Sequence, residues 1–152
     1  WMAARSELLG ALDETVYQLV AVVNDCGNAD QLVYEDWSVK DIVGHLAFWH
    51  ESFAHNVYAL SHGFTPQPLK GKLSDLNRQG VCEKRQYLLK EVLQQLTDAQ
   101  QTIRECIPAL HQTLIPYRKG SRDYSPEEHL EIVTAHIRSH LKDIFHALMA
   151  GD

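Results

Sequence analysis

The chain has 152 residues, 45% of them hydrophobic and 22% charged, and a net charge of −6. These values fit one soluble globular domain over 1–152 with a core of its own. They argue against a nucleic-acid partner, since no Lys/Arg cluster offsets the acidity, and no apolar run approaches the ~18 residues of a membrane span. Cys26, Cys82 and Cys106 fall at unrelated spacings. An odd number of thiols without a Cys-x-x-Cys pair is the pattern of a reducing cytoplasm, which is the expected location, and no signal peptide is expected.

The first expected helix runs from about Ala4 to Val23, with Leu8, Leu12, Val16, Leu19, Val20 and Val23 at three- and four-residue steps. It should stop in the turn-forming run Asn24-Asp25-Cys26-Gly27-Asn28. The second should begin after Trp37-Ser38, with Ser38 as N-cap and Asp41 as its partner, and run to about Ser61. His45 lies at the edge of its apolar stripe of Val39, Ile42, Leu46, Trp49, Phe53, Val57 and Leu60. Residues 62–73 hold Gly63, Pro66, Pro68 and Gly71. They read equally as a covering loop or a plain crossover.

A third helix is expected from about Ser74 to Ile107, striped by Leu88, Val92, Leu96, Ala99, Ile103 and Ile107, weakened or kinked at Gly80 and ended by Pro108. After a long connection, Ser125-Pro126-Glu127-Glu128 forms a complete capping box. The last helix then runs to about Met149 on Leu130, Val133, Ile137, Leu141, Ile144 and Leu148. Four amphipathic helices and no convincing strand predict an all-α four-helix bundle.

His136 and His140 stand four residues apart on that last helix. Positions i and i+4 share a face, with Cβ atoms roughly 6 Å apart, so two imidazoles can converge on one ion. His45 is the third candidate ligand, because bundle metal sites are assembled from facing helices. Asp41 and Asp143 are candidate orienters of the ligand rings, by the usual pairing of a ligand imidazole's second N–H with an acceptor. His129 shares the face of His136 but sits about 10.5 Å along the axis, too far for the same ion and well placed to line the approach. Trp37 and Trp49 read first as core anchors, with Trp49 also a pocket candidate. His50, His55, His62, His111 and His146 read as surface or rim residues. An all-imidazole site should release its metal as pH falls below about 6.5.

Trp37-Ser38-Val39-Lys40-Asp41 leading to His45-Leu46, together with His136-x-x-x-His140, resembles the DinB-like superfamily. The segment from His45 through Asn77, with Trp49, Pro66, Pro68 and Leu76-Asn77, is similar to its ClbS/DfsB branch. The resemblance implies an up-down-down-up bundle in which His45, His136 and His140 bind a divalent metal with open positions. Zinc or nickel comes ahead of iron or manganese. It further implies a metal-dependent enzyme acting on a small electrophilic molecule, either a transferase using a low-molecular-weight thiol cosubstrate or a hydrolase. The alternatives are a non-catalytic metal- or ligand-binding bundle, and a ClbS-like hydrolase protecting against a reactive natural product. That last activity is associated with a branch member lacking the triad, whereas the triad is intact in this chain. The expected partner is a small-molecule substrate, with neither nucleic acid nor membrane, and a homodimer is compatible with this reading.

Overall fold

The computed structural model describes residues 2–150, which form five α-helices: α1 (Met2–Asp25), α2 (Val39–Ser61), α3 (Leu73–Lys84), α4 (Leu89–Cys106) and α5 (Pro126–Ala150). A single 3-10 turn, Ile107–Ala109, follows α4. The apolar stripes meet in one core, with Leu12, Leu19, Ile42, Leu46, Leu96, Ile103, Leu130, Ile137 and Ile144 at 2% exposure or less. Helix α1 packs along α5 and α2 along α4, while α2 and α5 meet only over a short stretch. Among the described residues, no helix is long and apolar enough to cross a membrane.

Both expected helix starts form as capping boxes. Ser38 Oγ accepts the Asp41 amide and Asp41 accepts the Ser38 amide, each at 3.1 Å. At α5, Ser125 Oγ accepts the Glu128 amide at 3.1 Å and Glu128 accepts the Ser125 amide at 2.9 Å. Each box satisfies two of the amides that a helix N-terminus leaves unpaired.

The expected helix from Ser74 to Ile107 is in fact two helices, broken at residues 85–88. Tertiary anchors outweigh local propensity there. Lys84, 4% exposed, extends its ammonium to Glu51 and, at 2.7 Å, to Gln95 Oε1. Arg85 forms a two-pronged bond to the Asp41 carboxylate at 2.9 and 3.1 Å, tying the turn to the start of α2. Helix α4 then starts afresh, with the Glu91 carboxylate accepting the Leu88 amide at 2.9 Å. Leu88, expected in the core stripe, is 61% exposed at this new start.

Gly80 does not kink α3; it lies within the helix, and a Cβ there would fall 2.6 Å from Phe48. Gly44 faces Lys84 in the same manner, at 2.7 Å. The two glycines let α3 press onto α2, which carries Leu73 and Asn77 to the rim of a cavity between α2 and α5.

The two long connections hold each other. Lys119 N donates to Leu69 O at 2.8 Å and Arg118 Nη1 to Gly71 O at 3.1 Å. Pro116 and Tyr117 of the second connection, and Leu73 at the start of α3, wall the cavity. Arg5, 8% exposed, braces the opposite corner: it pairs with Glu127 at 2.8 Å and donates to the carbonyls of Ile107, Leu110 and His111.

Candidate metal centre

Where α2 and α5 come together, three imidazoles converge. His45 Nε2 lies 3.3 Å from His136 Nε2, and His140 Nε2 lies 3.1 Å from the same atom. Nitrogen ligands with ~2.1 Å bonds at angles of about 90–110° stand roughly 3.0–3.4 Å apart, so the two separations from His136 fit one divalent ion, and all three ligand atoms lie within 4.8 Å of one another. His45 is buried, His140 half-buried, and His136 opens toward solvent.

The ring electrostatics favour the ligand form. Burial pushes His45 down to about 3, and its neighbours His136 and His140 add to the shift. Burial, with His136 beside it, takes His140 to about 4, against the opposing pull of Asp143. Partial desolvation lowers His136 as well. All three are therefore neutral at physiological pH, the state a metal requires of imidazole.

The tautomer of His140 follows from its neighbours. Tyr34 Oη is 2.5 Å from Asp143 Oδ2 and 2.9 Å from His140 Nδ1. A carboxylate only accepts, so the single hydroxyl proton goes to Asp143 and the hydroxyl oxygen accepts His140 Nδ1–H. That leaves the His140 Nε2 lone pair bare and aimed at the other two rings. Burial and the Asp143 carboxylate together raise the Tyr34 phenol well above its ordinary range, so it stays protonated. Asp143 thus orients His140 through Tyr34 and not directly. Tyr34 lies in the α1–α2 connection, and its only signal in the sequence is an aromatic residue three positions ahead of Trp37.

Asp41 plays a different part from the one expected. Its carboxylate caps α2 and binds Arg85, and although burial works to raise it, the Arg85 and Ser38 bonds outweigh that and hold it low. His45 Nδ1 is buried without a hydrogen-bond partner among the described residues. Trp37 leans on the His45 ring instead, at a centroid separation of 4.9 Å.

The triad opens into a cavity of about 440 Å³ between α2, α5, α3 and the 110–125 connection. Trp37 and Trp49 are half-buried and line it, so neither is a plain core anchor. Trp49 stacks on Tyr117 at 5.1 Å and donates Nε1–H to Asn77 Oδ1 at 2.8 Å. His129 is buried on the same wall, as its register with His136 suggested. His50 corrects the sequence reading: it is 2% exposed, and its Nε2–H donates to Gln100 Oε1 at 2.7 Å. Gln100 in turn donates to Asp13, which Arg104 also binds. His55, His62, His111 and His146 are exposed, as expected.

No family model and no curated protein matches the chain. Among solved structures, the crystal structure of the mycothiol-dependent maleylpyruvate isomerase superposes with a TM-score of 0.72 at 13% identity. A histidine-to-alanine mutant of that isomerase gives 0.71 at 12%. Each comparison covers 92% of this chain and 60% of the other, so this chain spans less than two thirds of the length of these neighbours. At such identity the likeness concerns the fold alone: the chain has an all-α helical bundle architecture that this isomerase also contains.

Proposed function

We propose that the chain is a metal-dependent enzyme in which His45, His136 and His140 hold a divalent ion, zinc or nickel first, and that it acts on a small electrophilic molecule in the adjoining cavity. The observation that carries this reading is the convergence of three neutral imidazole nitrogens at the end of an apolar cavity. Three protein ligands leave a coordination position open, the arrangement of catalytic and not structural sites. A bound divalent ion supplies Lewis acidity that makes a thiol or water a stronger nucleophile at neutral pH. The chain's own residues do the rest. Tyr34 and Asp143 set the His140 tautomer, Trp37 steadies the His45 ring, and Trp49, Tyr117 and Phe53 keep water away from the substrate. A low-molecular-weight thiol cosubstrate accords with the mycothiol dependence of the isomerase that shares the fold. The Trp49–Asn77 bond lies in the segment whose pattern resembles the ClbS/DfsB branch, which favours hydrolysis as the second reading.

The His136→Ala variant tests the proposal. It should keep its helical circular dichroism, since the core lies elsewhere, and lose metal binding together with turnover. Conjugation of small thiols to a model electrophile supports the transferase, and thiol-independent hydrolysis of activated esters or amides supports the hydrolase. A metal-loaded wild type inactive in both assays would leave a binding bundle, and unfolding of the variant would make the metal structural.

A further inference from the structure

Trp49 follows His45 by one helical turn, about 6 Å along α2, and its indole Nε1–H donates to Asn77 Oδ1 at 2.8 Å. An indole nitrogen only donates, so this bond fixes which way round the Asn77 amide stands. The oxygen is taken by Trp49, and the –NH2 group is turned away from it. That group makes no hydrogen bond among the described residues. Asn77 is half-buried in the cavity lining and its amide nitrogen is not closed off, so two N–H donors are open to an incoming molecule. Other polar side chains around the cavity are already engaged. His50 donates to Gln100. Asn56 accepts the Gln67 amide at 3.0 Å and donates to Pro116 O. The Ser52 and Tyr117 hydroxyls, also in the lining, can donate or accept, whereas the Asn77 –NH2 can only donate. Asn77 is therefore the group that dictates what a ligand must bring.

The walls set the rest of the ligand's chemistry. Trp49 and Tyr117 stack at 5.1 Å and 23° and build a flat aromatic wall beside the amide. Leu73 and Ile132 line the cavity yet are 45% and 46% exposed, which gives it an apolar mouth. No Lys, Arg, Asp or Glu stands among the described lining residues. An anion held away from the triad would lose its hydration and gain no counter-charge. From the fixed amide donor, the flat aromatic wall and the uncharged lining, we propose that Asn77 is the recognition donor of this cavity. The molecule it takes is uncharged and planar, with a carbonyl oxygen that accepts from Asn77 while its other end reaches the triad. The link to catalysis rests on the triad being the reaction centre; recognition by Asn77 does not.

Three small probes of nearly equal shape test this without metal: acetophenone, α-methylstyrene, which has a CH2 group in place of the carbonyl oxygen, and benzoate. Each is titrated calorimetrically at pH 7.5 in the presence of chelator. Acetophenone should bind at millimolar concentration and benzoate at least tenfold more weakly. The isosteric Asn77→Asp variant keeps an oxygen for Trp49 and replaces the –NH2 by a second acceptor. In it the affinity of acetophenone relative to α-methylstyrene should fall by about fivefold, the usual worth of one hydrogen bond, with the helical circular dichroism unchanged. The Trp49→Phe variant leaves the amide free to turn; it should lower the same ratio, and it decides in place of Asn77→Asp if that protein does not fold. Benzoate binding as tight as acetophenone, no acetophenone binding at millimolar concentration, or an unchanged ratio in the folded variant would each overturn the proposal. A separate zinc titration keeps the two ideas apart. Zinc binding with an unchanged ratio sinks only the role of Asn77, and a ratio that falls in a protein that binds no zinc sinks only the metal centre.

Discussion

The Tyr34 hydroxyl has a single proton and two neighbours that want it, and the choice between them decides what His140 can do. Because the proton goes to Asp143, His140 must donate from Nδ1 and present Nε2. The Tyr34→Phe variant removes the hydroxyl and little volume. Its metal affinity should fall by about 10–100-fold, the usual effect of losing a ligand's outer partner, while its helical content stays. Competition titration against a chromophoric chelator reads this directly, and an unchanged affinity would show that His140 needs no orienter. The convergence of His45, His136 and His140 was legible in part: helical spacing sets His136 and His140 on one face and the apolar stripe sets His45 at its edge, while the family resemblance is what joined the three. Tyr34 was not, since it lies in a connection whose path no periodicity describes. Asp41 misled for a related reason: one helical turn from His45 put it within reach, but its capping and Arg85 bonds claim both oxygens.

At the scale of elements, Gly80 sets two effects against each other. Replacing a helical glycine by alanine ordinarily stabilises by about 1 kcal/mol. Here the new Cβ would lie 2.6 Å from Phe48, and overpacking of that kind costs about 1–3 kcal/mol. Overpacking should win, so the Gly80→Ala variant is expected to unfold at lower urea concentration than wild type by roughly 0–2 kcal/mol net. It should also disturb the Trp49–Asn77 bond, because Asn77 rides on α3. A midpoint shifted upward would mean that α3 can move off α2 without strain. Helices α1, α2 and α5 could be read from stripe and cap alone. The break between α3 and α4 could not, because no Gly or Pro marks residues 85–88 and Leu88 stands in step with Val92 and Leu96. What interrupts the chain is the burial of Lys84 and the pairing of Arg85 with Asp41, contacts across 33 and 44 residues.

The whole molecule carries several imidazoles whose folded pKa values lie well below the ordinary 6.5, and that sets its response to acid. A depressed pKa contributes stability that is present above the unfolded value and lost as pH falls from about 6.5 toward the folded value. For His50, held near 4 mainly by burial although its bond to Gln100 pulls the other way, the loss at pH 5 is roughly 2 kcal/mol. The metal-free protein should thus unfold at lower urea concentration at pH 5 than at pH 7.5, and the His50→Met variant should show a smaller difference between the two. Metal binding should be less sensitive than spacing alone suggested. With His45 near 3 and His140 near 4, protons compete for those two rings only as pH approaches 4, while His136, the most exposed ring and lowered by partial desolvation, is the one through which protons first weaken the site. A chelator should still lower the melting temperature of metal-loaded protein at pH 5. Loss of that effect between pH 7.5 and 5.5 would mean that the triad is more open to water than its packing implies.

The indole of Trp37, resting against His45 at 4.9 Å, has one more consequence. Tryptophan emission responds to charge and redox-active centres beside the ring, and this ring touches a ligand of the proposed ion. Trp49, one helical turn on from His45 in the same cavity, stacks on Tyr117. Of the chain's three tryptophans, Trp37 therefore stands beside the proposed ion's place and Trp49 beside the substrate's. Arrival of metal and arrival of a small molecule can be followed as separate changes in light from an unlabelled chain.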